Sequence, residues 1–89
     1  MKARNITTST TTTLKAKGDG FLHAIVVNKK GTGGNTAAIY DGDASTGTLI
    51  ATIDTTAQAG AFLYDFQFHN GCTIVTATGG QADLTAIWQ

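Results

Sequence analysis

Apolar and polar residues alternate along most of this chain, and a period of two predicts β-strands rather than helices. Phe62, Tyr64, Phe66 and Phe68 alternate with Leu63, Asp65 and Gln67, which gives one aromatic and one mixed face. In 21–28, Phe21, His23, Ile25 and Val27 share one face and Leu22, Ala24 and Val26 the other. Both faces are apolar, so this strand is expected in the middle of a sheet. Residues 5–15 read as extended and β-branched around a threonine run, 7–13, interrupted only by Ser9. Further strands are predicted over 36–40, 48–54, 72–76 and 82–88, the last with Leu84, Ala86 and Trp88 on one face.

Turn formers separate these runs. Gly18-Asp19-Gly20, the glycine-rich 29–35, 41–47, Asn70-Gly71 and 79–81 punctuate the chain. Asn-Gly between alternating runs is a strong hairpin signal. About seven strands at intervals of about ten residues is the spacing of an antiparallel sandwich or barrel. The expected organisation is an all-β, single antiparallel β-sandwich over 18–89. It is preceded by an extended, Thr-rich N-terminal arm or edge strand over 1–17. Phe21, Ile25, Val27, Ile39, Phe62, Tyr64, Phe66, Ile74, Leu84 and Trp88 are expected to supply the core.

Size sharpens the picture. A chain of 89 residues makes one domain with a thin core. Small domains often lean on disulfides, metals or partner subunits. A single cysteine forms no internal disulfide, and Cys72, His23 and His69 do not have metal-site spacing. Elimination leaves association with other subunits. Proline, a common guard of edge strands, is absent, so the edges need another cover.

Charge adds an asymmetry. Six Lys and Arg balance six acids, and every acid is aspartate, a turn former. Lys2, Arg4, Lys15, Lys17, Lys29 and Lys30 all lie in the first third, and most acids lie later. One reading is a molecule that stacks head to tail or sits on a charged surface. The other is solvated charges at strand ends. No dense basic patch interleaves with aromatics, so no nucleic-acid partner is expected. No apolar stretch reaches membrane-spanning length, so no membrane partner is expected. Residues 7–13 are polar where a secretory signal would be apolar, which predicts a chain made in a cytoplasm.

Candidate chemistry is sparse. Asp41-Gly42-Asp43 offers two carboxylates to a hard cation, but calcium loops supply more oxygens, and a turn capped by Asp side chains explains the motif as well. His23 sits among apolar residues, as a hydrogen-bonded core or interface histidine does. His69 is expected in a solvated turn and Cys72 as a small buried hydrophobe. Lys29-Lys30 beside Gly31-Thr32-Gly33-Gly34 lacks the order of a phosphate loop. The expectation is therefore no catalytic residue, no metal and no cofactor, and no enzyme activity. The threonine run suits either a frayed terminus or an arm lying on a neighbour. In the second reading Ile6, Thr7, Thr8, Thr10, Thr12 and Leu14 are the partner contacts.

One resemblance bears on function. Ile39-Tyr40-Asp41-Gly42, Ser45 to Asp54, Tyr64-Asp65, Gly71 to Thr76 and Ala82-Asp83-Leu84-Thr85 resemble small β-sandwich proteins encoded among tailed-phage structural genes. The likeness covers about 20–89 and leaves out the threonine run. It implies a jelly-roll-like sandwich and a virion component made in the bacterial host cytoplasm. A capsid decoration (cement) protein is implied foremost, a homotrimer that bridges subunits of the major capsid protein lattice. The alternative it implies is a tail or fibre accessory, a receptor-binding module with a glycan cleft lined by Tyr64, Trp88 and aspartates. No functional residue carries over.

Overall fold

The computed structural model describes residues 1–89. Eight strands run in chain order: β1 Lys2–Ile6, β2 Thr11–Lys15, β3 Gly20–Lys29, β4 Thr36–Asp41, β5 Thr48–Asp54, β6 Gly60–Phe68, β7 Cys72–Ala77 and β8 Asp83–Trp88. They form two four-stranded sheets, β1-β8-β3-β6 and β2-β7-β4-β5. Pairing is antiparallel throughout and nested: β1 with β8, β2 with β7, β3 with β6, β4 with β5. Further pairs, β3 with β8 and β4 with β7, complete the sheets. A long hairpin rolled up in this way is the eight-stranded jelly roll.

The strand beyond the expected seven comes from the N-terminus. Residues 1–17 are not a separate arm. Lys2 to Ile6 pair with Trp88 to Leu84 in the first sheet, and Thr11 to Lys15 pair with Val75 to Cys72 in the second. Residues 7–10 carry the chain from one sheet to the other. Both strands are sheet edges, which is where threonine works best: its branched Cβ favours extended backbone and its hydroxyl tolerates water.

The core lies between the sheets. Leu22, Ile25, Val27, Ile39, Phe68, Ile74 and Leu84 are its fully buried large apolar side chains. Burial of each contributes about 1.5–3 kcal/mol. Ile25, Val27, Ile39, Ile74 and Leu84 lie where the alternation predicts. Phe62, Tyr64, Phe66 and Trp88 pack on the core only half-buried, and Phe21 lies outside it. Two causes account for the corrections on β6 and β3. Strand β6 is an edge, so one flank of its aromatics meets solvent. Strand β3 changes register between Leu22 and Ala24, so Leu22, not Phe21 or His23, faces inward with Ile25 and Val27. A bulge adds a residue and reverses the phase of every side chain beyond it.

Two ends follow from this winding. The near end holds the connections 16–19, 42–47 and 69–71, and the far end holds 7–10, 30–35, 55–59 and 78–82.

Candidate functional site

The bulge that resets β3 also builds the most unusual local geometry. Between the pairs Leu22–Phe66 and Ala24–Leu63, β6 has one more residue than β3. Asp65 takes up the excess with φ of 45°, a left-handed value that aspartate tolerates better than bulky residues. His23 sits opposite on β3, and its Nδ1 lies 2.5 Å from Asp65 Oδ1. The two side chains are 38% and 56% exposed, so this pair sits on the solvent side of the sheet. A second histidine–aspartate pair, His69 Nδ1 to Asp19 Oδ1 at 3.3 Å, joins two near-end loops and is more exposed.

The near end carries a depression of about 520 Å³ lined by Lys17, Asp41, Asp43, Thr46 and Asn70 among others. Asp41 turns its carboxylate to the chain: the backbone amides of His69 and Asn70 donate to it at 3.2 and 2.9 Å. This is a capping role, as its turn sequence suggests, but the capped amides belong to the β6–β7 connection. Cys72 is buried, and burial, reinforced by the Asp41 charge, pushes its thiol up to about 12. A thiol held neutral in this way is a poor nucleophile. No three His, Cys, Asp or Glu side chains come together as a metal-holding group.

The residues expected to touch a neighbour divide into two sets. Ile6, Thr12 and Leu14 turn inward and are 4%, 5% and 8% exposed, so they serve this chain's own interior. Thr7, Thr8 and Thr10 stay exposed in the sheet-to-sheet crossing. Thr76 ties that crossing down: its hydroxyl donates to Thr8 O and accepts from the Thr10 amide. The correction has a simple cause. Once 5–15 divides into two strands, the residues of alternating parity must face the other sheet.

Tyr64 and Trp88, named for a glycan cleft, lie on β6 and β8 with β3 between them. Burial raises the Tyr64 phenol above its ordinary value, and Trp88 carries Lys2 Nζ 4.7 Å from its ring centroid.

The outer face of the first sheet holds a feature that sequence reading missed. Register places Ala3, Ile87, Ala24 and Leu63 in one row across all four strands. Leu63 is 65% exposed. The adjacent row is Asn5, Thr85, Val26 and Ala61, so the apolar surface continues on the β3–β6 side. On the β1–β8 side it gives way to a polar network. Asn5 and Asn28 both donate to Asp83 Oδ1, at 2.7 and 3.1 Å, and Asn28 also donates to Thr85. These donors hold the Asp83 carboxyl below its ordinary value, Asn5 foremost. No spacing along one strand could reveal the row, because its members come from four strands.

The site is thus a sheet face with an apolar row, an adjoining polar network and a histidine–aspartate pair, and no family model, curated protein or solved structure matches this chain.

Proposed function

We propose that this protein is a non-catalytic structural module of a phage virion, a capsid decoration protein that bridges subunits of the major capsid protein. One observation supports it most: the apolar row Ala3, Ile87, Ala24 and Leu63 on a solvent-facing sheet surface. In that row Leu63 and Ala3 are exposed, Ile87 is half-buried and Ala24 is covered, and exposed apolar side chains rimmed by polar groups suit a protein–protein contact. A rigid jelly roll presents that surface at little entropic cost, since the sheet is ordered before it docks. Copies seated where capsid subunits meet add buried area that opposes separation of the lattice. The resemblance to small sandwich proteins of tailed phages and to trimers at three-fold positions supplies the setting.

The test is the protein content of purified virions. The reading expects the chain in heads, in a copy number set by the capsid lattice. It expects Leu63→Asp to lower that occupancy while the free protein keeps its melting temperature. Presence in tails alone would favour the fibre-associated, receptor-binding reading. Absence from virions would end both.

A further inference from the structure

The two lateral sides of the sandwich carry opposite charge. Strands β1 and β2 are the edges on one side, joined by the short crossing 7–10, and β5 and β6 are the edges on the other, joined by 55–59. The β1–β2 side bears Lys2, Arg4 and Lys15 and no acid. The β5–β6 side bears Asp54 and Asp65 and no base. All five side chains belong to exposed residues. The only ion pairs in the molecule are the two histidine–aspartate pairs, so no lysine or arginine has a carboxylate partner within its own chain.

From this we infer that the β1–β2 side of one copy docks on the β5–β6 side of a second copy of this chain, head to tail. Strand direction fits. In the order β1-β8-β3-β6 each strand is antiparallel to the next. A second copy in the same orientation therefore sets its β1 antiparallel to β6. Register fits as well. One row runs Lys2, Trp88, Leu22, Phe66 and the next Ala3, Ile87, Ala24, Leu63, with Asp65 between the last members of the two. Continuing both rows sets Lys2 of the second copy opposite Phe66, the neighbour of Asp65 along β6, with Arg4 two residues further along the same edge. It also sets Ala3 of the second copy opposite Leu63, so that the apolar row runs on from one copy to the next. Asp54 and Lys15 lie toward opposite ends of the second sheet, so the first sheet carries the pairing.

The charges also decide which contacts are refused. Two β1 edges would oppose Lys2 and Arg4 to their like, and two β6 edges would oppose Asp65 to itself. Like-charge juxtaposition suppresses such pairings. Basic residues on an edge strand are a known guard against self-pairing, but a guard against β1 is an attraction toward β6. A heterologous contact of this kind closes into a ring when its rotation divides a full turn and otherwise runs on as a chain. The inference deepens the self-association expected of a decoration protein and does not depend on the virion.

Sedimentation of the purified full chain tests it without any capsid. Expected is concentration-dependent association that weakens by at least about tenfold between about 50 and about 500 mM salt, because exposed charges are screened. Arg4→Glu alone and Asp65→Lys alone should each weaken association at least about tenfold. An equimolar mixture of the two should restore it, since each variant supplies the complement of the other. Asp65→Asn serves as the folding control for that position: asparagine tolerates the positive φ and keeps an oxygen for His23, so it should weaken association with an unchanged melting temperature. A protein monomeric at high concentration would overturn the inference. So would association unmoved by Arg4→Glu and Asp65→Asn, or a mixture no better than its components. Absence from virions with charge-swap rescue intact would leave this contact standing and remove only the virion reading.

Discussion

The two ends of the sandwich tie their connections by different means. At the far end the fully buried Asn35 holds three connections together. Its Nδ2 donates to Ala77 O, Thr78 O and Gln81 Oε1 at 3.2, 2.9 and 3.0 Å. Its Oδ1 accepts from the Thr55 hydroxyl at 2.6 Å and the Ala82 amide at 3.3 Å. Gly31 makes room, since an added Cβ there would come within 2.8 Å of Asn35 and 2.7 Å of Thr55 Oγ1. The near end is held by an apolar plug and a charged cap. Phe68 is fully buried beneath it, and Gly20 leaves it space, since a Cβ would lie 2.2 Å from Phe68 Cζ. Asp41 then caps two amides beside an open depression. A buried neutral amide neither titrates nor is screened, and it is costly to leave unpaired. A carboxylate near solvent competes with water for the same bonds. The far end should therefore be rigid and sensitive to mutation, and the near end dependent on packing.

The largest break should come at the plug. Phe68→Ala is expected to cost about 3–5 kcal/mol in urea or thermal unfolding, because it empties a fully enclosed site. Phe66→Ala, half-buried on the same edge strand, should cost clearly less. Equal costs would mean that the two aromatics share one environment. Next, Asn35→Ala should cost about 2–3 kcal/mol, because the buried Ala82 amide would lose its acceptor, Ala77 O, Thr78 O and Gln81 Oε1 would lose their donor, and the Thr55 hydroxyl would keep only its longer bond to Asn35 O. Hydrogen exchange should then rise across 30–35, 55–59 and 78–82 and not at the near end.

Alkali should separate the ends chemically. The Cys72 thiol, pushed from 9.0 to about 12, lies at the near end of β7. A raised folded value means its contribution is complete below the unfolded value and is lost as pH rises from about 9 toward 12. The loss should grow by about 1.4 kcal/mol per pH unit within that window. Cys72→Ala should flatten this part of the melting-temperature profile. A smaller effect, about 1 kcal/mol, is expected for Asp41→Ala, which removes a partly solvated cap.

The least effect should be acidic and lie on the far-end rim. Asp83 is held below the ordinary value of 3.8 by Asn5 and Asn28, and Asp54 by Thr56. A lowered folded value means the contribution is present above 3.8 and fades as pH falls below it. Asn5→Ala should make that acid-side decline shallower. If instead acid loosened 30–35 first by hydrogen exchange, Asn35 would not be the far end's principal tie.

The fold was legible in the sequence where alternation runs unbroken. Strand β6 is announced by Phe62, Tyr64, Phe66 and Phe68, and the Asn70-Gly71 hairpin lies where its residues require. Legibility failed at irregularities. The register change at Leu22–Ala24 reverses the facing of His23, and only a cross-strand partner reveals a bulge. The division of 5–15 into two strands was hidden for a related reason, since a polar run of six threonines broken only by Ser9 carries no turn former strong enough to mark the boundary. Asn35 reads as one more polar residue in a glycine-rich loop, and its burial depends on Thr55, Thr78 and Gln81, each distant along the chain. The candidate surface was the least legible feature, because Ala3, Leu63 and Ile87 become neighbours only across a sheet.

Sequence alone determined what each segment can be. Period-two runs, turn formers and the absence of glutamate and proline commit the chain to short antiparallel strands, because those preferences act within a few residues. Tertiary structure decided which strands pair, which become edges and which charges end on opposite sides. Strand pairing brings together residues up to eighty-six positions apart, as Lys2 meets Trp88. Such contacts arise only when the whole hairpin closes, and no local preference encodes them.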